Sequence, residues 1–316
     1  MSGVPHADLG PGAEFDRIRA VWERLGARAA PSGDDCAIVR IGSEQLAVST
    51  DLAVEGTHFR EGWLGKIELG WRVAAAALSD LAAVAAVPAG VLASVGVPPG
   101  WDERAVTDLM DGIGNAAHAV GATVWGGDLA RSERLVVDVT VVGMVARAVL
   151  RSGAKPGDAL WVSGALGGPG AALAAWAAGK EPGALARERF AHPVPRIAEA
   201  RWLEAAGARA MIDLSDGLVA DAGHLAAASG VACRIDREAV PIHAAAGSED
   251  DALVSGEEYE LLVALPAPFG DAEAVEFVEQ FAVPFTRIGT VEPGHGVHVY
   301  AQGSPVDPPQ GFRHFR

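Results

Sequence analysis

The chain has 316 residues, 25 Lys and Arg against 41 Asp and Glu, and a formal net charge of −16. Half of it is hydrophobic and only 6% aromatic, a balance that excludes general disorder. The acidity argues against nucleic acid or an anionic membrane as partner.

At roughly 100–200 residues per domain, the length predicts two domains, each able to bury its own core. The opening segment lacks a basic start followed by an apolar run, which predicts a cytoplasmic chain with no secretion signal. Cys36 and Cys233 lie far apart and outside any CxxC spacing, as expected of a reducing compartment without thiol-bound metal. The most apolar stretch, Val73 to Val97, is interrupted by Asp80 and Pro88, so no membrane span is predicted.

In chain order, Phe15, Ile18, Val21, Trp22 and Leu25 share one face of a predicted helix over Glu14–Arg28. Two strands follow, Cys36–Ile41 and Gln45–Thr50, joined as a hairpin by Gly42-Ser43-Glu44. A helix from Ile67 to Ala86 ends before Pro88. Next come a strand over Gly90–Val97, a helix over Trp101–Ala119, and strands near Thr123–Trp125 and Leu135–Val145. The punctuated segment Arg151–Asp158 opens a second half. There the predicted strands are Ala159–Ser163, Ala232–Ile235, Tyr259–Leu265 and Phe285–Val291. The helices are an Ala-rich one after Gly164–Gly170, one near Pro195–Ala206 and one near Leu218–Ser229. Strands and helices mix without strict alternation, so the predicted class is α+β in two domains, 1–148 and 149–316.

No G-x-x-x-x-G-K-[ST], G-x-S-x-G or H-E-x-x-H occurs, which removes Walker-type, α/β-hydrolase and zincin chemistry. Gly112-Ile113-Gly114-Asn115-Ala116-Ala117 matches G-x-G-x-x-A but falls inside a predicted helix, the wrong context for a dinucleotide site.

The informative residues are acids in apolar, glycine-flanked settings. Asp34 and Asp35 precede a strand; Ser49-Thr50-Asp51 closes the next; Asp80 interrupts an apolar helix; Gly127-Asp128 stands at a strand end; Asp213-Leu214-Ser215-Asp216 precedes a helix. Taken singly, the last reads as a helix cap, Gly127-Asp128 as a turn, His58 as an ordinary histidine and Glu257-Glu258 as solvated charge. Taken together, acids beside apolar elements point to a shared cation site. Carboxylate and hydroxyl oxygens favour Mg²⁺, which leaves positions for waters and nucleotide phosphates.

These segments, GDDCAIV (33–39), STDLAVEGTHF (49–59), LSDLAA (78–83), Gly126–Asp128 with Arg131, RSGAKPGD (151–158), IDLSDG (212–217) and SGEEYEL (255–261), recur in order along the chain, with a Gly311–Phe315 tail. The whole resembles the thiamine-monophosphate kinases, of the ATP-binding superfamily shared with aminoimidazole-ribonucleotide synthetase and selenophosphate synthetase. The resemblance implies a mixed N-terminal domain that binds ATP and Mg²⁺ and pairs in a homodimer. It also implies a larger C-terminal α/β domain completing the nucleotide and substrate site.

Several Mg²⁺ ions would be held by Asp35, Ser49, Thr50, Asp51, Asp80, Asp128, Asp213 and Asp216. ATP would meet Gly127, Asp128, Arg151 and Ser215, and thiamine monophosphate would meet His58, Glu257 and Phe312. The implied reaction passes the γ-phosphoryl group of ATP to thiamine monophosphate, with no covalent nucleophile on the protein. The alternatives are a non-catalytic thiamine-phosphate or nucleotide binder and another ATP-dependent member of the superfamily. Ala77, Leu129, Ala130, Ser255 and Glu258 depart from the family pattern; Ser255 stands where Gly is usual, a strained exchange if that position needs a positive φ.

Overall fold

The computed structural model describes residues 6–30 and 32–309. The first half holds α1 (Ala13–Leu25), β1 (Ala37–Ile41), β2 (Glu44–Val54), α2 (Lys66–Ala83), β3 (Val87–Val97), α3 (Glu103–Ala119), β4 (Thr123–Arg131) and β5 (Val136–Met144). Its five strands form one sheet in the order β1-β2-β5-β3-β4. β1 and β2 meet through a tight turn at Gly42, whose φ of 62° suits glycine.

α2 and α3 pack together and against this sheet. Their close approach depends on glycine: a Cβ on Gly70 would fall 2.0 Å from the Leu109 carbonyl oxygen, and one on Gly112 2.0 Å from that of Ile67. The G-x-G-x-x-A match is therefore a helix-crossing feature. The other sheet face is open, with Val39, Ile41, Leu52, Leu92 and Trp125 among its exposed apolar side chains.

The second half contributes β6 (Ala159–Ser163), α4 (Gly168–Ala177), α5 (Ala184–Ala191), α6 (Ile197–Ala205), β7 (Ala210–Asp213), α7 (Leu218–Ser229), β8 (Ala232–Asp236), α8 (Glu249–Val254), β9 (Leu261–Leu265), α9 (Asp271–Phe281), β10 (Phe285–Glu292), β11 (Gly296–Ala301) and β12 (Ser304–Val306). Seven strands form a mixed sheet, β12-β11-β8-β10-β6-β9-β7. Every residue of β6, β7 and β9 is buried, as strands covered on both faces must be. The architecture is two-domain α+β, as the sequence predicts.

One apolar core joins the halves. Leu78 and Leu81 of α2 belong to the same cluster as Trp161, Met211, Leu261 and Phe285. α2 is buried from Leu69 to Ala83 apart from Trp71 and Asp80, and it packs against β2 and β5 on one side and β7 and α6 on the other.

Several boundaries differ from the sequence expectation for identifiable reasons. α2 ends at Ala83, before the predicted Ala86, because Ala85 takes a positive φ of 57°. Pro88 lies inside β3 rather than between elements, at a shift of register between Pro88 and Gly90, where a missing N–H is tolerated. β4 runs through Gly126-Gly127-Asp128 to Arg131, so these residues are mid-strand and not a turn or strand end. β2 likewise continues past Asp51 to Val54.

Candidate active site

A cavity of about 500 Å³ is lined from both halves. Asp51 and Thr50 reach it from β2, Arg72 and Asp80 from α2, Asp35 from the entry to β1, and Asp213, Ser215 and Asp216 from the turn after β7. His58, Glu257 and Arg151 also line it. The structure thus gathers most of the residues singled out in the sequence, from segments as far apart as Asp35 and Glu257.

At the floor, one carboxylate oxygen each from Asp35, Asp80 and Asp213 lie within 4.8 Å of one another. Ser49 Oγ donates to Asp80 Oδ2 at 2.6 Å, and Ser79 Oγ donates to Asp213 Oδ2 at 2.6 Å. Asp35 is held by Arg151, whose Nε donates to Asp35 Oδ2 at 3.2 Å and whose Nη2 donates to Oδ1. The Arg151 backbone N–H donates to Asp34 Oδ2 at 3.0 Å. Burial pushes Asp213 up to about 7, with the Asp35 charge adding to the rise and Ser79 and Arg151 opposing it. Asp80 lies well above the ordinary carboxylate range, from burial and then from Asp213 and Asp35. Burial, then Asp35, raises Asp34 to about 7. Desolvation within the cavity, then Glu257, brings Asp51 to about 6. Carboxylates crowded so that their charged forms are disfavoured are what a divalent cation would relieve.

A second cluster adjoins the first. Asp216, Asp221 and His224 each offer an atom within 4.8 Å of the others. Asp221 Oδ2 accepts the backbone N–H groups of Asp216 and Gly217 at 3.1 and 3.0 Å, which fixes the turn entering α7. The residues before α7 are not its side-chain cap: Gly217 occupies that position with no such bond. Burial, and after it Arg151, lowers His224 to about 4.

The opposite wall is ion-paired. Arg72, 4% exposed, donates to Glu257 Oε2 and to the Phe190 carbonyl, and its guanidinium lies 3.5 Å from the Phe190 ring centroid. Tyr259 Oη donates to the same Glu257 oxygen at 2.6 Å. Glu257 and Tyr259 both adopt positive φ, 64° and 53°, a strained pair held by bonds from Glu257 N to the Ser215 carbonyl (2.7 Å) and from Tyr259 N to that of Leu214 (2.8 Å). His58 Nδ1 accepts from Val54 N at 3.0 Å, and Thr50 Oγ1 donates to Asp138 Oδ1 at 3.0 Å.

Some expectations land elsewhere. Gly127 and Asp128 do not line the cavity; they lie on exposed β4, three strands from β2, roughly 14 Å across the sheet at ~4.8 Å per strand. Gly127 has a packing reason of its own, since a Cβ there would fall 1.7 Å from the Ala93 carbonyl oxygen. Phe312 lies outside the described residues. Glu258 is not solvated charge: it is fully buried, accepts from Gly167 N at 2.6 Å, and is raised by burial to about 7. Ser255 has a φ of −64°, so no glycine is required, and its Oγ accepts from Gly170 N at 3.0 Å.

Arg72, Ser79, Asp221, His224 and Tyr259 were not among the residues the sequence put forward. The signal that flags Asp80, a charge inside an otherwise apolar helix, applies equally to Arg72.

Residues 33–145 match the family model "AIR synthase related protein, N-terminal domain", and residues 155–302 match its C-terminal counterpart. These define the class: a two-domain protein of the AIR synthase related type. A thiamine-monophosphate kinase of Mycobacterium tuberculosis is 36% identical over 272 residues, 82% of each chain. One of Aquifex aeolicus is 34% identical over 319 residues, covering 96% of this chain and 98% of its own. The solved structure described as "AaThiL complexed with AMPPCP and TMP" superposes with a TM-score of 0.85 at 32% identity, covering 96% of this chain and 97% of that one. The chain belongs to the thiamine-monophosphate kinase family.

Proposed function

We propose that this protein transfers the γ-phosphoryl group of ATP to the phosphate of thiamine monophosphate, giving thiamine diphosphate and ADP. The observation that carries this reading on the chain itself is the trio of Asp35, Asp80 and Asp213 oxygens gathered within 4.8 Å on a cavity floor. The relatives named above supply the substrate pair.

The donor set fits Mg²⁺: hard carboxylate and hydroxyl oxygens, two of the acids held only by serine hydroxyls among the described residues. Asp35, Asp80 and Asp213, with Asp51 and Asp216 at the rim, would hold it. The chemistry Mg²⁺ would supply when bound there is neutralisation of charge on the transferring phosphoryl group. The chain's part is positional. Ser49 and Ser79 aim the Asp80 and Asp213 carboxylates, Arg151 fixes Asp35, and Asp221 fixes the turn carrying Ser215 and Asp216. The acceptor oxygen belongs to a phosphate already ionised near neutral pH, so no protein base is required. Glu257 and His58 face the acceptor in this reading.

Dimerisation is part of the same proposal, supported by the open sheet face with its exposed Leu92 and Trp125. Gly127 and Asp128 stand on the strand bearing Trp125, so a role for them toward ATP is one that a second copy would complete. Sedimentation as a monomer at micromolar concentration would contradict this part.

Incubation with ATP, Mg²⁺ and thiamine monophosphate tests the whole reading, with formation of thiamine diphosphate expected. Calorimetric binding of both ligands without product would instead establish a binding protein and end the kinase assignment. Among the described residues no helix is long and apolar enough to cross a membrane.

A further inference from the structure

We infer that Arg72 is a specificity-determining positioning residue, which fixes one oxygen of Glu257 so that the other meets the cationic ring of the acceptor. The inference rests on the kinase reading above and on its placement of Glu257 toward thiamine monophosphate.

The two oxygens of Glu257 have different surroundings. Oε2 accepts from both the Arg72 guanidinium and the Tyr259 hydroxyl, while Oε1 accepts no hydrogen bond from the described residues. Glu257 lines the cavity with a side chain 24% exposed. One oxygen is therefore tethered and the other left to the cavity. A carboxylate held by two donors loses the torsional freedom of a free glutamate before any ligand arrives, which lowers the entropy lost on binding. The tether is itself rigid: Arg72 is buried on α2, stacked on the Phe190 ring and bonded to the Phe190 carbonyl. The backbone of Glu257 and Tyr259 is held at positive φ on both sides of Glu258, and such strain persists where surrounding structure over-determines it.

Electrostatics point the same way. Glu257 and Asp51 face one cavity, and their mutual repulsion would drive Glu257 aside; the Arg72 cation offsets it. A cationic ring approaching Oε1 then meets a carboxylate already in place. A phosphate monoester with a neutral ring gains little from that oxygen, so the pair discriminates by ring charge.

The test is steady-state kinetics and calorimetry on the full chain with two acceptors, thiamine monophosphate and a neutral thiazole alkyl phosphate. Arg72→Ala and Tyr259→Phe are expected to raise KM for thiamine monophosphate roughly tenfold, with kcat and KM for ATP little changed. The neutral phosphate is expected to respond to neither. Arg72→Lys should recover part of the loss, and Arg72→Ala added to Glu257→Gln should cost nothing further, because the two act as one unit. If Arg72→Ala does not fold, Arg72→Lys and Tyr259→Phe decide. Wild-type KM and wild-type preference in those variants would overturn the inference, as would equal losses for both acceptors. A wild-type chain that binds thiamine monophosphate without phosphorylating it would sink the kinase reading separately, and calorimetry on the same variants would still judge Arg72.

Discussion

Two buried carboxylates a short distance apart in the C-terminal half have opposite surroundings. Glu260, 1% exposed, accepts from Arg196 at 2.6 and 2.8 Å, from Arg189 and from Ser163 Oγ. Despite burial, which acts to raise it, Arg196 and Arg189 hold this carboxyl below its ordinary value. Asp213, 3% exposed, accepts from a single serine and faces two more acids, and it is raised to about 7. A buried charge must find a partner or neutralise. Glu260 has its partners within the chain, so its task is completed by folding. Asp213 has one serine donor among the described residues and like charges beside it, so folding alone does not balance its charge.

The contrast is broken most forcefully by exchanging each carboxylate for its amide. Asp213→Asn is expected to lower Mg²⁺-dependent turnover by more than roughly 100-fold while raising the thermal midpoint of the metal-free chain, because a repelling charge is gone. Wild-type kcat at limiting Mg²⁺ would refute the metal assignment. Glu260→Gln is expected to do the reverse. It removes the carboxylate that Arg189 and Arg196 share, leaving them only the longer pairs to Glu258 at 3.9 Å and Glu199 at 3.4 Å, and costs about 3–5 kcal/mol in denaturant unfolding, with turnover per folded molecule retained.

pH sharpens the same comparison. Asp213 and Asp34 bind protons in the folded state up to about 7, whereas in the unfolded chain they release them near 4. The folded state therefore holds more protons between about pH 4 and 7, and stability falls as pH rises through that window. His224 acts oppositely below its ordinary value of 6.5, since it stays neutral in the fold down to about 4. The clean interval is thus pH 8 to 6.5. There the metal-free chain is expected to gain thermal stability on acidification, read by calorimetry, and saturating Mg²⁺ should remove the trend by competing with the protons. The smallest effect belongs to Ser79→Ala, about 1–2 kcal/mol from a lost hydrogen bond to a carboxylate, with a raised Mg²⁺ requirement in titration.

The sequence made much of this legible, because charge inside an apolar pattern is rare and each instance demands a reason. Asp80 on α2 and Asp213 before α7 stood out on that ground, and the mixed order of strands and helices was enough for the fold class. What stayed hidden depends on long-range approach. Nothing local says that Ser79 donates to a residue 134 positions away, or that Arg72 meets Glu257 across 185. Short elements such as α8 and β7 carry too few residues for a periodic pattern to mark them. Gly127 shows the reverse difficulty: a motif glycine whose neighbour in space, the Ala93 carbonyl, gives it a packing role that sequence cannot separate from a binding one.

α2 carries both Arg72 and Asp80 through the interior of the molecule. Eight residues at 1.5 Å each set about 12 Å between them along the axis, and a helix packed on both sides neither stretches nor flexes as a loop would. The spacing between the anchor for the acceptor ring and the floor where phosphates would gather is therefore a fixed length built into the fold. In the proposed reaction an acceptor would be measured against it, and one with a shorter or longer arm between ring and phosphate would not be accommodated by moving the wall.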